Sequence, residues 1–186
     1  RDKHLLVLGA GSGVGLGAVA VGRALGLRVI AAASTEEKRN LALERGAFAV
    51  IDSTLSADEV KEEAKRLSGG GIDYLYDPVG GDLGETCLRA LTDDGQYLVI
   101  GFVGGIPKLP ANQVLLRNRR VTGVDWGGWA GKNPGLNDRM LAEVMALIAA
   151  GELRPVEPQT YPLEQAAQAL QDLEDRKVAG KIALIP

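Results

Sequence analysis

Near the start of the chain four apolar residues, Leu5-Leu6-Val7-Leu8, run into the glycine-rich stretch Gly9-Ala10-Gly11-Ser12-Gly13-Val14-Gly15. A long apolar-periodic segment, Val14 to Leu25, follows at once. Strand, tight turn and helix in that order suit a dinucleotide. Glycines let backbone N–H groups approach a pyrophosphate, and the helix N-terminus adds unpaired donors and the positive end of its dipole. Against the G-x-G-x-x-G template the three glycine positions are held by Ala10, Ser12 and Gly15. Only Gly15 is glycine, and its place is where helix and strand pack closely. The spacing alone is a weak signal, and a purely structural turn is the competing reading. The strand before it and the helix after it favour the nucleotide.

The residues after a second strand bear on which nucleotide. An NAD-preferring site places an acidic residue about 20 residues beyond the glycines, on the ribose 2′-hydroxyl. Here that region reads Ala31-Ala32-Ala33-Ser34-Thr35, with no carboxylate. Glu36 and Glu37 come later, in a first helical turn where the dipole favours them in any case. Ser34, Thr35 and Lys38 suit a 2′-phosphate, so NADP(H) is expected rather than NAD(H), with Arg39 as a substitute for Lys38. Ser34 to Glu37 also fits a helix capping box.

These groups need a scaffold, and the rest of the chain alternates accordingly. Strands are expected at Leu5–Leu8, Arg28–Ala33, Ala49–Ile51, Ile72–Tyr76, Gln96–Ile100 and Val121–Val124. Helices are expected at Val14–Leu25, Glu36–Arg45, Asp58–Leu67, Gly84–Leu91 and Asn137–Ala150. Such alternation predicts an α/β, doubly wound Rossmann domain: a six-stranded parallel sheet in the order 3-2-1-4-5-6, with its ligand crevice above strands 1 and 4. After residue 152 the pattern changes. Prolines 155, 158 and 162 punctuate an extended stretch, then a helix over Leu163–Glu174 and a strand over Gly180–Ile185 form a short appendage. A helix and one strand make no core alone.

The composition narrows the function classes. The 186 residues carry a net charge of −3, with no basic excess of the kind a nucleic-acid site needs. No apolar run approaches the roughly 20 residues of a membrane span, and no signal peptide is expected ahead of Leu5. A single cysteine, Cys87, points to no oxidising compartment, and with a single histidine, His4, it makes no His/Cys zinc site. A cytoplasmic setting is expected. Cys87 reads as a small buried apolar residue, His4 as an exposed strand-edge residue, and Asp77 as a turn residue before Pro78. No general acid stands out. Trp126 and Trp129, in a glycine-rich loop, either cover the nicotinamide or the substrate, or belong to an interface.

The turn Ala10-Gly11-Ser12-Gly13-Val14-Gly15 resembles that of zinc-independent medium-chain dehydrogenases/reductases, in particular the NADPH:quinone oxidoreductase (zeta-crystallin-like) branch. Glu44–Ala47, Asp73–Gly81, Gly95–Gly101, Arg119–Val124, Tyr161–Ala166 and Gly180–Ile182 are similar to later stretches of that branch, so the likeness runs through nearly the whole chain. The family also carries an N-terminal GroES-like catalytic domain. The resemblance therefore implies a fragment: an NADP(H)-binding domain over residues 1–152, and a tail over 153–186 that belongs with the catalytic domain.

By position, the resemblance puts Ser12, Gly13 and Val14 at the pyrophosphate and Ser34, Thr35 and Lys38 around the 2′-phosphate. Ser53 stands where the branch often has a phosphate-holding tyrosine, which weakens that contact. Pro78 and Val79 would border the adenosine or ribose. Phe102, Val103 and Gly104 would line the nicotinamide ribose, with Asp125, Trp126 and Gly127 near the carboxamide and Arg176 reaching the cofactor late in the chain. The implied activity is hydride transfer from NADPH to a quinone or conjugated carbonyl, without zinc, in a homodimer joined through the edge of strand 6. An enoyl reductase of the same superfamily and a non-enzymatic NADP(H)-binding or sensing protein are the alternatives.

Overall fold

The structure, a computed structural model, describes residues 3–175 and 177–186. Its six-stranded sheet runs β3-β2-β1-β4-β5-β6, every neighbouring pair parallel. The strands are β1 (His4–Val7), β2 (Arg28–Ala33), β3 (Ala49–Asp52), β4 (Ile72–Asp77), β5 (Leu91–Val99) and β6 (Arg120–Gly123). Strands covered on both faces read as continuous apolar runs, and Leu5-Leu6-Val7-Leu8 shows why. Leu5 and Val7 join one core layer with Leu16 and Val19 of α1 (Gly13–Ala24) and Ala42 of α2 (Glu36–Glu44). Leu6 and Leu8 join the other, with Val60 and Ala64 of α3 (Ala57–Ser68) and Cys87 of α4 (Gly81–Cys87).

Local signals fix the helix ends. Ser12 caps α1, accepting the Gly15 N–H at 3.0 Å. Ser56 and Glu59 form a reciprocal capping box at the start of α3, and Gly69, left-handed at φ +73°, ends it. At α2 the cap is Thr35, not Ser34: its hydroxyl accepts the Lys38 N–H at 3.2 Å. β5 begins earlier than its apolar run, because Leu91 pairs with Ile72 ahead of a register shift.

Elements beyond the sequence pattern also appear. A short helix, α5 (Ala111–Leu115), precedes β6, and the glycine-rich stretch after β6 is helical, α6 (Trp126–Lys132). The next helix, α7 (Pro134–Ala149), has no fully buried residue, and Met140 and Leu141 lie exposed on it. The appendage is more than a helix and one strand. β7 (Gln159–Pro162) pairs in parallel with β8 (Ile182–Ile185), with α8 (Ala166–Glu174) crossing between them. This small unit is tied to the main sheet at the glycine turn. The Gly180 N–H donates to the Gly11 carbonyl at 2.9 Å, and Arg45 Nη1 donates to the Pro155 carbonyl at 3.0 Å.

Candidate functional site

The glycine turn is held by its own hydrogen bonds. Gly9 adopts φ +60°, and its carbonyl accepts both the Ser12 N–H at 3.0 Å and the Ser12 hydroxyl at 2.8 Å. With Gly15 N–H taken by Ser12 Oγ and Leu16 N–H by the Ser12 carbonyl, the N–H groups of Gly13 and Val14 have no partner among the described residues. They stand at the N-terminus of a 12-residue helix, a pair of donors suited to an anion. A Cβ on Gly15 would run into the Gly9 carbonyl, so the close packing of α1 on β1 depends on this glycine.

Two lysine stems cover the remaining glycines. A Cβ on Gly11 would lie 2.6 Å from Lys38 Cδ, and one on Gly13 would lie 2.7 Å from Lys181 Cγ. Lys38 comes from α2 as expected. Lys181 was not among the expected site residues, because only the docking of the Gly180 segment beside Ser12 brings it there.

At the end of β2 the carbonyl of Ala33 accepts the Ser53 N–H at 3.2 Å and Arg39 Nη1 at 3.1 Å. Arg39 also pairs with Asp52 at 3.1 Å. It is therefore an anchored residue, and Lys38 is the lysine that crosses the turn. The Asp52 carboxyl is held below its ordinary value by the hydroxyl and N–H of Thr54 and then by Arg39. β2 and the exposed Ser34 and Thr35 after it carry no carboxylate of their own, the Asp52 carboxylate of the neighbouring β3 is paired with Arg39, and Glu36 and Glu37 lie exposed in the first turn of α2.

The loop after β4 meets the turn directly, and the loop after β5 is bonded to the β4 loop in its turn. Val79 Cγ2 and Pro78 Cγ lie 3.1 and 3.6 Å from where a Gly9 Cβ would sit. The Gly104 N–H donates to the Val79 carbonyl at 2.7 Å, while Phe102 and Val103 are exposed beside it. Ser12–Val14, Pro78–Val79 and Phe102–Gly104 thus form one continuous edge at the carboxyl ends of β1, β4 and β5, the switch point of the sheet.

Asp125 and Trp126 lie beyond β6 on the same edge. Asp125 caps α6 through the Gly128 N–H at 3.1 Å, and Trp126 Nε1 donates to Asn137 Oδ1 at 3.2 Å. With Gly123, Val124, Trp129 and Met140 they line an apolar recess of about 260 Å³. Arg176 lies outside the described residues.

Titratable groups inside the fold are structural in placement. Cys87 is buried and its thiol is pushed up to about 12, first by burial and then by Asp77. His4 is half-buried on β1 and not an exposed edge residue; its backbone N–H donates to Asp73 Oδ2 at 2.8 Å. Among the described residues no cluster of three or more His, Cys, Asp or Glu is placed to hold a metal ion.

Residues 13–149 match the family described as zinc-binding dehydrogenase. The chain belongs to that family. Relatives of this chain include proteins named as quinone oxidoreductases. Quinone oxidoreductase-like protein 2 of Bos taurus is 34% identical over 185 residues, covering 98% of this chain and 52% of that protein. Among solved structures, a mycobacterial protein complexed with NADPH superposes with a TM-score of 0.88 at 29% identity, covering 100% of this chain and 57% of that one. Escherichia coli quinone oxidoreductase complexed with NADPH gives a TM-score of 0.84 at 30% identity, covering 100% and 58%. The chain spans about half the length of the curated relatives it matches. This member of the zinc-binding dehydrogenase family therefore has the Rossmann-type nucleotide-binding architecture, with a short two-stranded appendage.

Proposed function

We propose that residues 1–152 form the NADP(H)-binding domain of an oxidoreductase that reduces a quinone or another conjugated carbonyl compound. In this reading residues 153–186 pack with a catalytic domain of the kind that the longer relatives have room for. One observation carries it: the open N–H groups of Gly13 and Val14 stand in a turn crossed by Lys38, beside a β2 end that carries no carboxylate of its own and whose neighbour Asp52 is paired with Arg39. The NADPH complexes of the two similar structures support the same choice.

NADPH, when bound, supplies the hydride; the chain's residues bind and orient it. Gly13 and Val14 would donate to the pyrophosphate, with Lys38 and Lys181 adding positive charge on either side. Ser34, Thr35 and Lys38 would receive the 2′-phosphate. Pro78, Val79 and Phe102–Gly104 would form the wall along the riboses, and Asp125 and Trp126 would approach the nicotinamide end. The reaction is read as zinc-independent, in a cytoplasmic homodimer acting on a small molecule and not on nucleic acid or membrane. No helix of the described residues is long and apolar enough to cross a membrane.

The test is a calorimetric titration of the chain with NADPH and with NADH, repeated for Lys38→Ala. NADPH should bind the more tightly. The variant should lose about ten- to a hundredfold in NADPH affinity, the worth of one hydrogen bond to a charged group, with little change for NADH. Equal affinity for the two nucleotides, or binding of neither, would overturn the reading.

A further inference from the structure

The loop after β4 is fastened from inside the protein by a carboxylate. Asp77 is 0% exposed. Its Oδ1 accepts the N–H groups of Val79 and Gly80, each at 2.8 Å. Its Oδ2 accepts the hydroxyl of Tyr97, a fully buried residue of the neighbouring β5. Gly84 of α4 closes over this junction, where a Cβ would collide with both Asp77 Oδ2 and Tyr97 Oη.

The backbone around the pair extends the connection. The Asp77 carbonyl accepts the Ile100 N–H at 2.9 Å, where the β5 loop begins. Farther out, the Gly104 N–H bonds to the Val79 carbonyl and the Gly81 N–H to the Gly105 carbonyl, both at 2.7 Å. On the opposite side Pro78 and Val79 pack against Gly9. Through these contacts one carboxylate fixes the β4 loop, its attachment to the β5 loop, and the flank of the glycine turn. A carboxylate suits this place because its two oxygens accept from three donors at once. An amide has one oxygen, and an aliphatic side chain has none.

We propose that Asp77 and Tyr97 are positioning residues for nucleotide binding: a buried latch that holds Pro78, Val79 and Phe102–Gly104 as one wall beside the glycine turn. The proposal rests on the nucleotide-binding reading above. A buried pair that served stability alone would lower global stability when removed and leave the balance between loop order and global order unchanged. The latch, in contrast, sits under the loops and makes their order specifically dependent on it.

The test combines amide hydrogen exchange with NADPH titration on the whole chain. The variants are Asp77→Ala, Asp77→Asn, Tyr97→Phe and Gly84→Ala, the last of which wedges the pair apart without removing either group. In Asp77→Ala and Gly84→Ala, exchange at Val79, Gly80 and Gly104 should quicken about tenfold or more relative to amides in β1 and β2. NADPH affinity should fall about tenfold in step. Tyr97→Phe, which removes one oxygen and keeps the core apolar, should do the same to a smaller degree and carries the test if Asp77→Ala does not fold. Asp77→Asn keeps an oxygen for Val79 and Gly80 but puts a donor where Tyr97 needs an acceptor, so its loop protection and NADPH affinity should fall between those of the parent and of Asp77→Ala. Unchanged protection of Val79 and Gly80 in Tyr97→Phe and Gly84→Ala would overturn the latch. So would affinity that tracks only a uniform loss of protection across the sheet. If the parent chain bound neither nucleotide, the failure would fall on the proposed function, and the exchange comparison would still decide whether the latch orders the loops.

Discussion

Cys87 ends α4 with its side chain sealed in the core layer shared by Leu6, Leu75 and Tyr97. Burial, with the charge of Asp77 added, raises its thiol from an ordinary 9.0 to about 12. Below pH 9 the thiol is neutral in both the folded and the unfolded chain, and its contribution to stability is complete. Between 9 and 12 only the unfolded chain gives up the proton, so that contribution is lost as pH rises, by about 1.4 kcal/mol per pH unit. Burial and the Asp77 hydrogen bond raise Tyr97 from its ordinary 10.0 in the same direction, so some alkaline sensitivity remains without the thiol. Cys87→Ala should flatten the fall in urea midpoint above about pH 9 but not abolish it. Superimposable profiles for parent and variant would contradict the buried, protonated thiol. The burial of Cys87 was legible from its apolar neighbours Leu83 and Leu88. The role of Asp77 was not: beside Pro78 it reads as a turn residue, and the Tyr97 hydroxyl that engages it lies 20 residues away. Lys181 was illegible for the same reason, since the fold alone brings it to Gly13.

At the scale of elements the junction of β1 and α1 is where sequence and packing make opposing demands. Alanine is the better helix former by about 1 kcal/mol, so Gly15→Ala and Gly17→Ala should both stabilise α1 if propensity decided the matter. A Cβ at Gly17 meets nothing within 4 Å. A Cβ at Gly15 meets the Gly9 carbonyl and, at 2.7 Å, the Ala10 Cα, backbone atoms that cannot swing aside. Gly17→Ala should therefore raise the urea midpoint, by up to about 1 kcal/mol. Gly15→Ala should lower stability by about 1–3 kcal/mol, the usual cost of overpacking. Equal effects at the two positions would mean that α1 stands off β1. Long elements with strong local signals were readable in advance; β2 falls on Arg28–Ala33 as expected. α6 was hidden because Gly127, Gly128 and Gly131 dilute its helical pattern. β7 was hidden because four residues bounded by prolines become a strand only through pairing with β8.

For the molecule as a whole, the question is what covers β6. That strand borders β5 on one side and forms the edge of the sheet on the other, and an unpaired edge invites another strand. The Val124 N–H turns inward to the Val99 carbonyl. By the alternation of a parallel ladder, Val121 and Gly123 direct their N–H groups outward. Val121, 41% exposed, and Val124, 42% exposed, add apolar surface along the strand, and Trp126 continues it. Joining two such edges would make a continuous sheet across two copies, as the proposed homodimer requires. Proline at an outward-facing position removes the donor that the partner needs and leaves the ladder to β5 intact. Val121→Pro should therefore shift the chain from dimer to monomer in sedimentation equilibrium while NADPH still binds at the glycine turn, which lies three strands away across the sheet. A parent chain that sediments as a monomer would overturn the dimer, and a variant that remains dimeric would move the interface off this edge and toward the exposed Met140 and Leu141 of α7.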